Sequence, residues 1–273
     1  MKARLNIACA FILMLTGLGG GETGKSRAPV TLQRGGIIPT NSPAFREYAL
    51  SVLLSNANLV AERWQLDVQL PITTNQITGS FIDPTTNGLE GSIQIDNDAH
   101  KYGFKVSDGR FNSFGDTKYR SQTFVYSPDE QKDKWPGMTN LLTLESAVAM
   151  AKDKLHRLGI DEKKLGMGEP FKAAQWRYDS NDVFYPLPLY AVQWKTQTGD
   201  YMVIRMEISG VTSNVAYFSH NIPANLLPSF LRVPTPTNYL QLLGLPSNTV
   251  FRPHDWDRRQ KILREAQPDP PIF

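Results

Sequence analysis

Two hydrophobic patterns alternate along the chain, one typical of amphipathic helices and one typical of half-buried strands. Residues 43–64 and 144–158 carry apolar side chains at spacings of three and four, which favours one buried helix face. Elsewhere apolar and polar residues alternate, as they do in strands that bury one face. The predicted strands are 64–70, 77–82, 91–96, 101–106 and 110–114 after the first helix, and 171–178, 189–195, 201–208 and 213–219 after the second. This order predicts an α+β fold of two helix-plus-antiparallel-sheet modules.

Capping residues mark the ends of these elements. Ser42 followed by Pro43 is typical of a helix start, with a hydroxyl N-cap and a proline in the first turn. Thr143 can cap the second helix, and Gly159 stands where a left-handed residue would end it. The pair 108–109, Asp-Gly, predicts a tight hairpin turn between two strands.

Residues 19–26, GGGETGKS, fit the G-x-x-x-x-G-K-[ST] pattern of a phosphate-binding P-loop. That loop requires a helix starting at its Lys-Ser pair, so that free N–H groups face the phosphates. The next residues include Pro29, the glycine pair 35–36 and Pro39, which interrupt helices. We therefore interpret the pattern as a chance match, with no bound cofactor. The residues concerned are Gly19, Gly24, Lys25 and Ser26.

The N-terminus fits an export signal better than a nucleotide site. Residues 1–4 are basic, and 5–18 form an apolar run too short for a comfortable membrane span. Gly17, Gly19 and Gly21 supply small residues at the spacing that a signal peptidase requires. We expect an exported bacterial protein, periplasmic or extracellular, with no stable membrane span after cleavage; an uncleaved N-terminal anchor is the alternative.

Net charge and cysteine content exclude some classes of partner and site. Removing residues 1–21 removes Lys2 and Arg4 but no acidic residue, so the net charge falls from +3 to +1. This small charge argues against a nucleic-acid-binding protein. The one cysteine, Cys9, lies inside the predicted signal. Disulfides and cysteine metal sites are therefore excluded from the mature chain.

Polar and proline-rich segments divide the chain into predicted units. The clearest predicted boundary is the polar segment 127–140, SPDEQKDKWPGMTN. After residue 220 the composition changes again, and the segment is rich in proline. The units are 1–21, the signal peptide; 22–41, a flexible lead-in; 42–126, the first module; 127–140, a linker; 141–220, the second module; and 221–273, a Pro-rich tail with short helices.

The segments AVAMAKDKLHRLGID and YAVQWKTQTGDYMVIRMEISGVTSNVAYF together resemble a PepSY domain. Tyr190-Ala191-Val192 matches the family's strand pattern, and Glu207 stands near its acidic position, whereas the turn 208–212 carries extra residues and lacks the usual Asp. The resemblance covers 143–219, and 43–114 could be a divergent second copy. It implies two PepSY/cystatin-like modules and a non-catalytic role in peptidase regulation or protein binding in the envelope. It provides no catalytic residues.

No metal or catalytic site stands out from the residue spacing. The histidines, His100, His156, His220 and His254, have no partner at metal-ligand spacing, and no G-x-S-x-G elbow occurs. We interpret His156 as a cation near a helix C-terminus, and His254 as a neighbour of acids that cap a helix. Aromatic strand residues could line a ligand groove, although such residues more often fill a core. The groove candidates are Trp176, Tyr178, Tyr190 and Trp194.

Three functions stay open at this point. The first is an exported, non-catalytic protein that binds an envelope protein or a peptide. The second is an envelope hydrolase with an acidic or histidine site that the sequence does not reveal. The third is a P-loop nucleotide-binding protein. A polar cleft that gathers two of His100, His220 and His254 with acidic residues would favour the hydrolase.

Overall fold

The computed structural model describes residues 31–32, 42–85, 88–125, 142–180, 183–197 and 201–251. The strands of this part of the chain are β1 (Thr31–Leu32), β2 (Ile77–Thr85), β3 (Gly88–Asp96), β4 (Lys101–Ser107), β5 (Arg110–Asp116), β6 (Lys172–Ser180), β7 (Val183–Lys195), β8 (Val203–Ser209), β9 (Val215–His220) and β10 (Val250–Phe251). The helices are α1 (Pro43–Trp64), α2 (Thr117–Val125), α3 (Leu144–Arg157) and α4 (Tyr239–Leu242).

Eight of these strands form one continuous antiparallel sheet in the order β2-β3-β4-β5-β9-β8-β7-β6. The two four-stranded meanders meet where β5 pairs with β9, with Ser113 opposite Ser219 and Gly115 opposite Tyr217. The predicted pair of helix-plus-antiparallel-sheet modules is therefore wrong, because the described chain forms a single sheet-dominated domain. Alternation along a strand predicts which face is buried, but it does not predict which strand pairs with its free edge.

Both long helices pack on the same face of this sheet, and Trp64 lies where they meet. Its buried ring contacts Phe114 of β5 and Phe218 of β9 edge-on, at centroid distances of 5.3 and 5.4 Å. Its indole N–H donates to the carbonyl of Lys154 at 2.9 Å, and the Lys154 ammonium donates to the carbonyl of Trp64 at 2.8 Å. The last residue of α1 is thus bonded to α3 directly above the β5–β9 pair.

The chain after β9 returns across the same face as α1. Prolines interrupt it into short turns, and Leu227, Leu231 and Tyr239 enter the hydrophobic core. The Tyr239 hydroxyl donates to the carbonyls of Thr85 and Gly88, at 2.9 and 2.5 Å, and so binds α4 to the β2–β3 hairpin. This segment completes the core between α1 and the sheet.

The predicted helix caps are confirmed. The Ser42 hydroxyl accepts the N–H of Phe45 at 3.4 Å, and the Thr143 hydroxyl accepts the N–H of Ser146 at 3.1 Å. Gly159 has a φ of +67°, and a β-carbon there would lie only 3.1 Å from the ring of Pro228. Glycine is therefore required at this position both by the left-handed backbone and by the close approach.

Two local predictions differ from the structure. The strand expected at 64–70 is absent from the described chain, because α1 continues to Trp64 and Gln65 then turns the backbone left-handed, with a φ of 55°. Pro71 stands directly after the predicted strand, and proline has no N–H group to donate to a neighbouring strand. Helix α2 was not predicted from the sequence.

Within the described ranges, every helix is too short or too polar to cross a membrane.

Replacing Trp64 by alanine tests whether the described chain is one cooperative unit. We expect the free energy of unfolding to fall by about 3–5 kcal/mol, because the substitution leaves a core cavity over the β5–β9 pair. Urea unfolding followed by circular dichroism and by tryptophan fluorescence measures this. The control, Leu226→Ala at a half-exposed position, should change stability by no more than about 0.5 kcal/mol. Two separate transitions in the parent protein would contradict a single domain.

Candidate functional site

The described histidines do not gather in one cleft. His100 lies next to Asp116, the last residue of β5, with Nδ1 2.6 Å from a carboxylate oxygen. His220 lies near the other end of β5, where its Nε2 is 2.8 Å from the carbonyl of Phe111. Phe111 and Asp116 are five positions apart in β5, about 16 Å along the sheet. His254 lies outside the described residues.

His220 is held as a neutral, buried imidazole. Its Nε2–H donates to the carbonyl of Phe111, so Nδ1 can accept the N–H of Ile222 at 3.2 Å. Burial lowers the pKa of His220, the bond to the Phe111 carbonyl opposes this shift, and the positive charge of Arg110 adds to it, with a net pKa of about 4. Both ring nitrogens are engaged, which suits a structural role at the end of β9.

The aromatic residues proposed for a groove occupy different environments. Trp194 is fully buried in the main core, and Trp176 packs on the opposite face of the sheet near Leu189. Tyr190 is also buried, and its hydroxyl donates to the carbonyl of Leu142. Tyr178 belongs to β6, and its side chain lies outside the described part. The structure therefore does not bring Trp176 and Trp194 to one surface.

A buried carboxylate fastens α2 to the face of the sheet that carries Trp176. Glu207 is fully buried and accepts hydrogen bonds from Arg120 Nε at 2.8 Å and from Arg205 Nη2 at 2.6 Å. The Arg120 guanidinium also lies 4.6 Å from the ring centroid of Tyr217. Two cations compensate the buried charge of Glu207, as such a group requires. We interpret this cluster as a structural contact between α2, β8 and β9.

A second histidine–carboxylate cluster follows the end of α3. His156 Nε2 lies 3.0 Å from a carboxylate oxygen of the buried Glu162, and the Asp161 carboxylate lies beside them. The Asp161 carboxylate accepts the N–H groups of Lys164 and Lys163, and the first of these bonds contributes most to a pKa below its usual range. Sequence reasoning identified His156 only as a helix-end cation.

A groove with apolar walls runs between α3 and the edge strand β6. Its volume is about 420 Å³, and it opens to solvent. Its lining residues are Leu144, Glu145, Val148, Ala149, Lys152 and Ala173. Leu144 is 40% exposed, although its spacing had placed it on the core-facing side of the helix. The apolar surface of α3 is therefore wider than the core covers, because the buried residues of the helix are Ala147, Ala151, Lys154 and Leu155, and Leu144 is not among them.

The wall of this groove opposite α3 is an edge of the sheet. Strand β6 pairs with β7 on one side, and among the described residues no strand pairs with its other side at 172–175. Alternate residues of such an edge direct their N–H and C=O groups outward, where another strand can pair with them. Ala173 faces α3 from this edge, so apolar walls and backbone hydrogen-bonding groups meet in one groove.

Comparison with known proteins adds no relative: no family model, curated protein or solved structure matches the chain. The PepSY-like resemblance of 143–219 therefore stays a prediction. The signal peptide, the linker and the P-loop-like residues Gly19, Gly24, Lys25 and Ser26 lie outside the described residues. The groove between α3 and β6 is the candidate site that the described residues support best.

Acidification should destabilise the fold through His220. Between pH 6.5 and about 4 the unfolded chain binds a proton at this histidine and the folded chain does not, so stability falls as the pH falls. We expect a loss on the order of 2–3 kcal/mol from this residue across that range. Urea unfolding at a series of pH values measures it in the parent protein and in His220→Gln, whose side chain does not titrate. An equal pH dependence in both proteins would rule out this role.

Proposed function

We propose that this chain is an exported, non-catalytic protein that binds an extended peptide segment of another protein. The peptide adds to the sheet as a strand beside β6 and places apolar side chains in the groove against α3. The observation that supports this function is the joint presence, in one groove, of an apolar helix stripe and a strand edge with which no described strand pairs. Strand addition of this kind obtains affinity from backbone hydrogen bonds and specificity from side-chain pockets.

The dimensions of the groove set the length of the bound segment. Its helix wall extends from Leu144 to Lys152, about 12 Å at 1.5 Å per residue. An extended strand covers this length with about four residues. Because side chains alternate between the two faces of a strand, two of the four enter the groove. We therefore expect a motif with apolar residues at positions one and three.

The charged residues at the two ends of the groove favour a peptide that is apolar in its centre and polar at both ends. Glu145 lies at the start of α3, and Lys152 lies two turns later in an ion pair with Glu169 at 2.5 Å. Between them the helix wall carries Val148 and Ala149. Burial of the peptide's apolar side chains against these residues contributes roughly 25 cal/mol for each Å² removed from water.

A hydrolase with an acidic or histidine site is the alternative, and the placement of the histidines does not favour it. His100 and His220 lie at opposite ends of β5, and each is bonded to a neighbouring structural group. The groove between α3 and β6 is lined by apolar side chains apart from Glu145 and Lys152, which suits binding.

Peptide selection tests this function. A random-peptide library is selected on the full mature chain, and the enriched peptides are synthesised with a fluorescent label for anisotropy titration. We expect apolar residues at alternating positions, and at least about a tenfold weaker affinity for the variant Leu144→Asp, because a carboxylate would have to be buried. Leu226→Asp, a charge at another half-exposed leucine, is the matched control and should bind normally.

Backbone methylation separates strand addition from simple hydrophobic contact. The same peptides, N-methylated at alternate residues, keep their side chains and lose the N–H groups that would pair with β6. We expect one of the two methylation registers to abolish binding and the other to preserve it. Equal binding by both methylated forms, or by Leu144→Asp and the parent protein, would overturn the proposed mode.

Export is tested by the N-terminus of the mature protein. We expect Edman sequencing or intact-mass measurement of the protein purified from the bacterial envelope to show a chain that starts near residue 22, because the apolar run ends in small residues there. A full-length chain found in the cytosolic fraction would contradict the export proposal. The peptide-binding test does not depend on this outcome.

A further inference from the structure

We propose that His156, Asp161 and Glu162 bind a divalent transition-metal ion of the zinc type at the C-terminal end of α3. The imidazole Nε2 and one oxygen from each carboxylate lie within 4.8 Å of one another. Histidine nitrogen and carboxylate oxygen are both zinc ligands, and a site with three protein ligands is completed by water in the fourth position. This site is separate from the peptide groove and does not depend on the proposed function.

The distance between two of the three ligand atoms already approaches that of a metal site. His156 Nε2 lies 3.0 Å from Glu162 Oε2. In a tetrahedral zinc site with bonds of 2.0–2.1 Å, two ligand atoms lie about 3.3 Å apart. A cation therefore requires this pair to separate by only a few tenths of an ångström. The His156 side chain is 56% exposed, so an ion can enter from solvent.

The burial of Glu162 is the observation that points to a cation. Its side chain is only 2% exposed, and within the described residues its carboxylate has the His156 imidazole as its one partner. Among the described residues no lysine or arginine side chain pairs with this carboxylate, and positive charge beside a buried carboxylate is strongly favourable. Glu207, another buried carboxylate, is paired with two guanidinium groups instead. A bound cation would place a fixed positive charge beside the Glu162 carboxylate.

The local backbone holds the three residues together. Gly159 ends α3 in a left-handed turn, and the N–H of Ile160 bonds back to the carbonyl of Leu155 at 3.0 Å. This turn brings 161–162 beside the side chain of His156. The helix C-terminus also carries a partial negative charge, which favours a cation at this position.

Neighbouring cations do not close the site. The Lys164 ammonium lies 3.5 Å from Asp161, but its side chain is 84% exposed and can move away at small cost. Arg157 is bonded to Asp153 at 2.7 Å, and the Lys154 ammonium is bonded to the carbonyl of Trp64. The imidazole ligand favours zinc or cobalt over magnesium or calcium, which prefer oxygen ligands.

Metal titration of the full mature chain tests this site. At a free zinc concentration one hundred times Kd, we expect the midpoint of thermal unfolding to rise by roughly 5–10 °C. Cobalt should give the visible absorption bands of a four-coordinate site, and magnesium should have no effect. Glu162→Gln retains the shape and a hydrogen bond to His156 but lacks the charge, so both metal responses should disappear. His156→Gln should behave in the same way.

His100→Gln is the matched control, because His100 also lies against a carboxylate but contacts Asp116 and Asp67 through different ring nitrogens. This variant should keep the full zinc and cobalt responses. No zinc response in the parent protein, or a response that persists in Glu162→Gln and His156→Gln, would overturn the site. The metal proposal does not require these variants to lose peptide binding. Either the metal test or the peptide test can therefore fail while the other succeeds.

Discussion

The packing of Trp64 over the junction of β5 and β9 is the contact on which the architecture depends. One side chain touches Phe114 and Phe218, which belong to different halves of the chain, and its indole bonds to the backbone of the second long helix. The Lys154 ammonium returns a bond to the carbonyl at the end of α1, and burial lowers the pKa of this lysine. The two meanders are thereby held as one sheet with one shared core.

The candidate groove follows from this arrangement. Helix α3 contacts α1 at Trp64 and packs its buried stripe over β6, β7 and β8. Leu144 and Val148, on the adjacent stripe, then lie beside the sheet edge at β6. A strand in the middle of a sheet has partners on both sides, whereas an edge strand keeps one side open. In the described part of the chain, the same packing thus leaves an apolar wall next to the edge of β6 that has no strand partner.

The sequence correctly predicted the helix starts and the hairpin turn, whose formation depends on neighbouring residues. Ser42 and Thr143 cap their helices, and Asp108 and Gly109 form their hairpin with positive φ angles of 50° and 71°. Each of these caps and turns depends on contacts within a few residues, so it can be predicted from the sequence without knowledge of the tertiary structure. Helix α2 gave no such signal, because Arg120 is held by the distant Glu207. The extra strand predicted at 64–70 failed because no partner strand lies beside that segment in the described sheet.

The sequence by itself determined the two long helices, most of the strands and the turns between them, since spacing and capping act over short distances. Only the tertiary structure decided that both meanders share one sheet, that Trp176 and Trp194 lie on opposite faces, and that Leu144 lines a groove. It also brought the buried carboxylate of Glu162 against the His156 imidazole, with no lysine or arginine side chain paired to it among the described residues. The physical reason is that strand-edge pairing and helix docking join residues far apart in the chain, and periodicity carries no information about such partners.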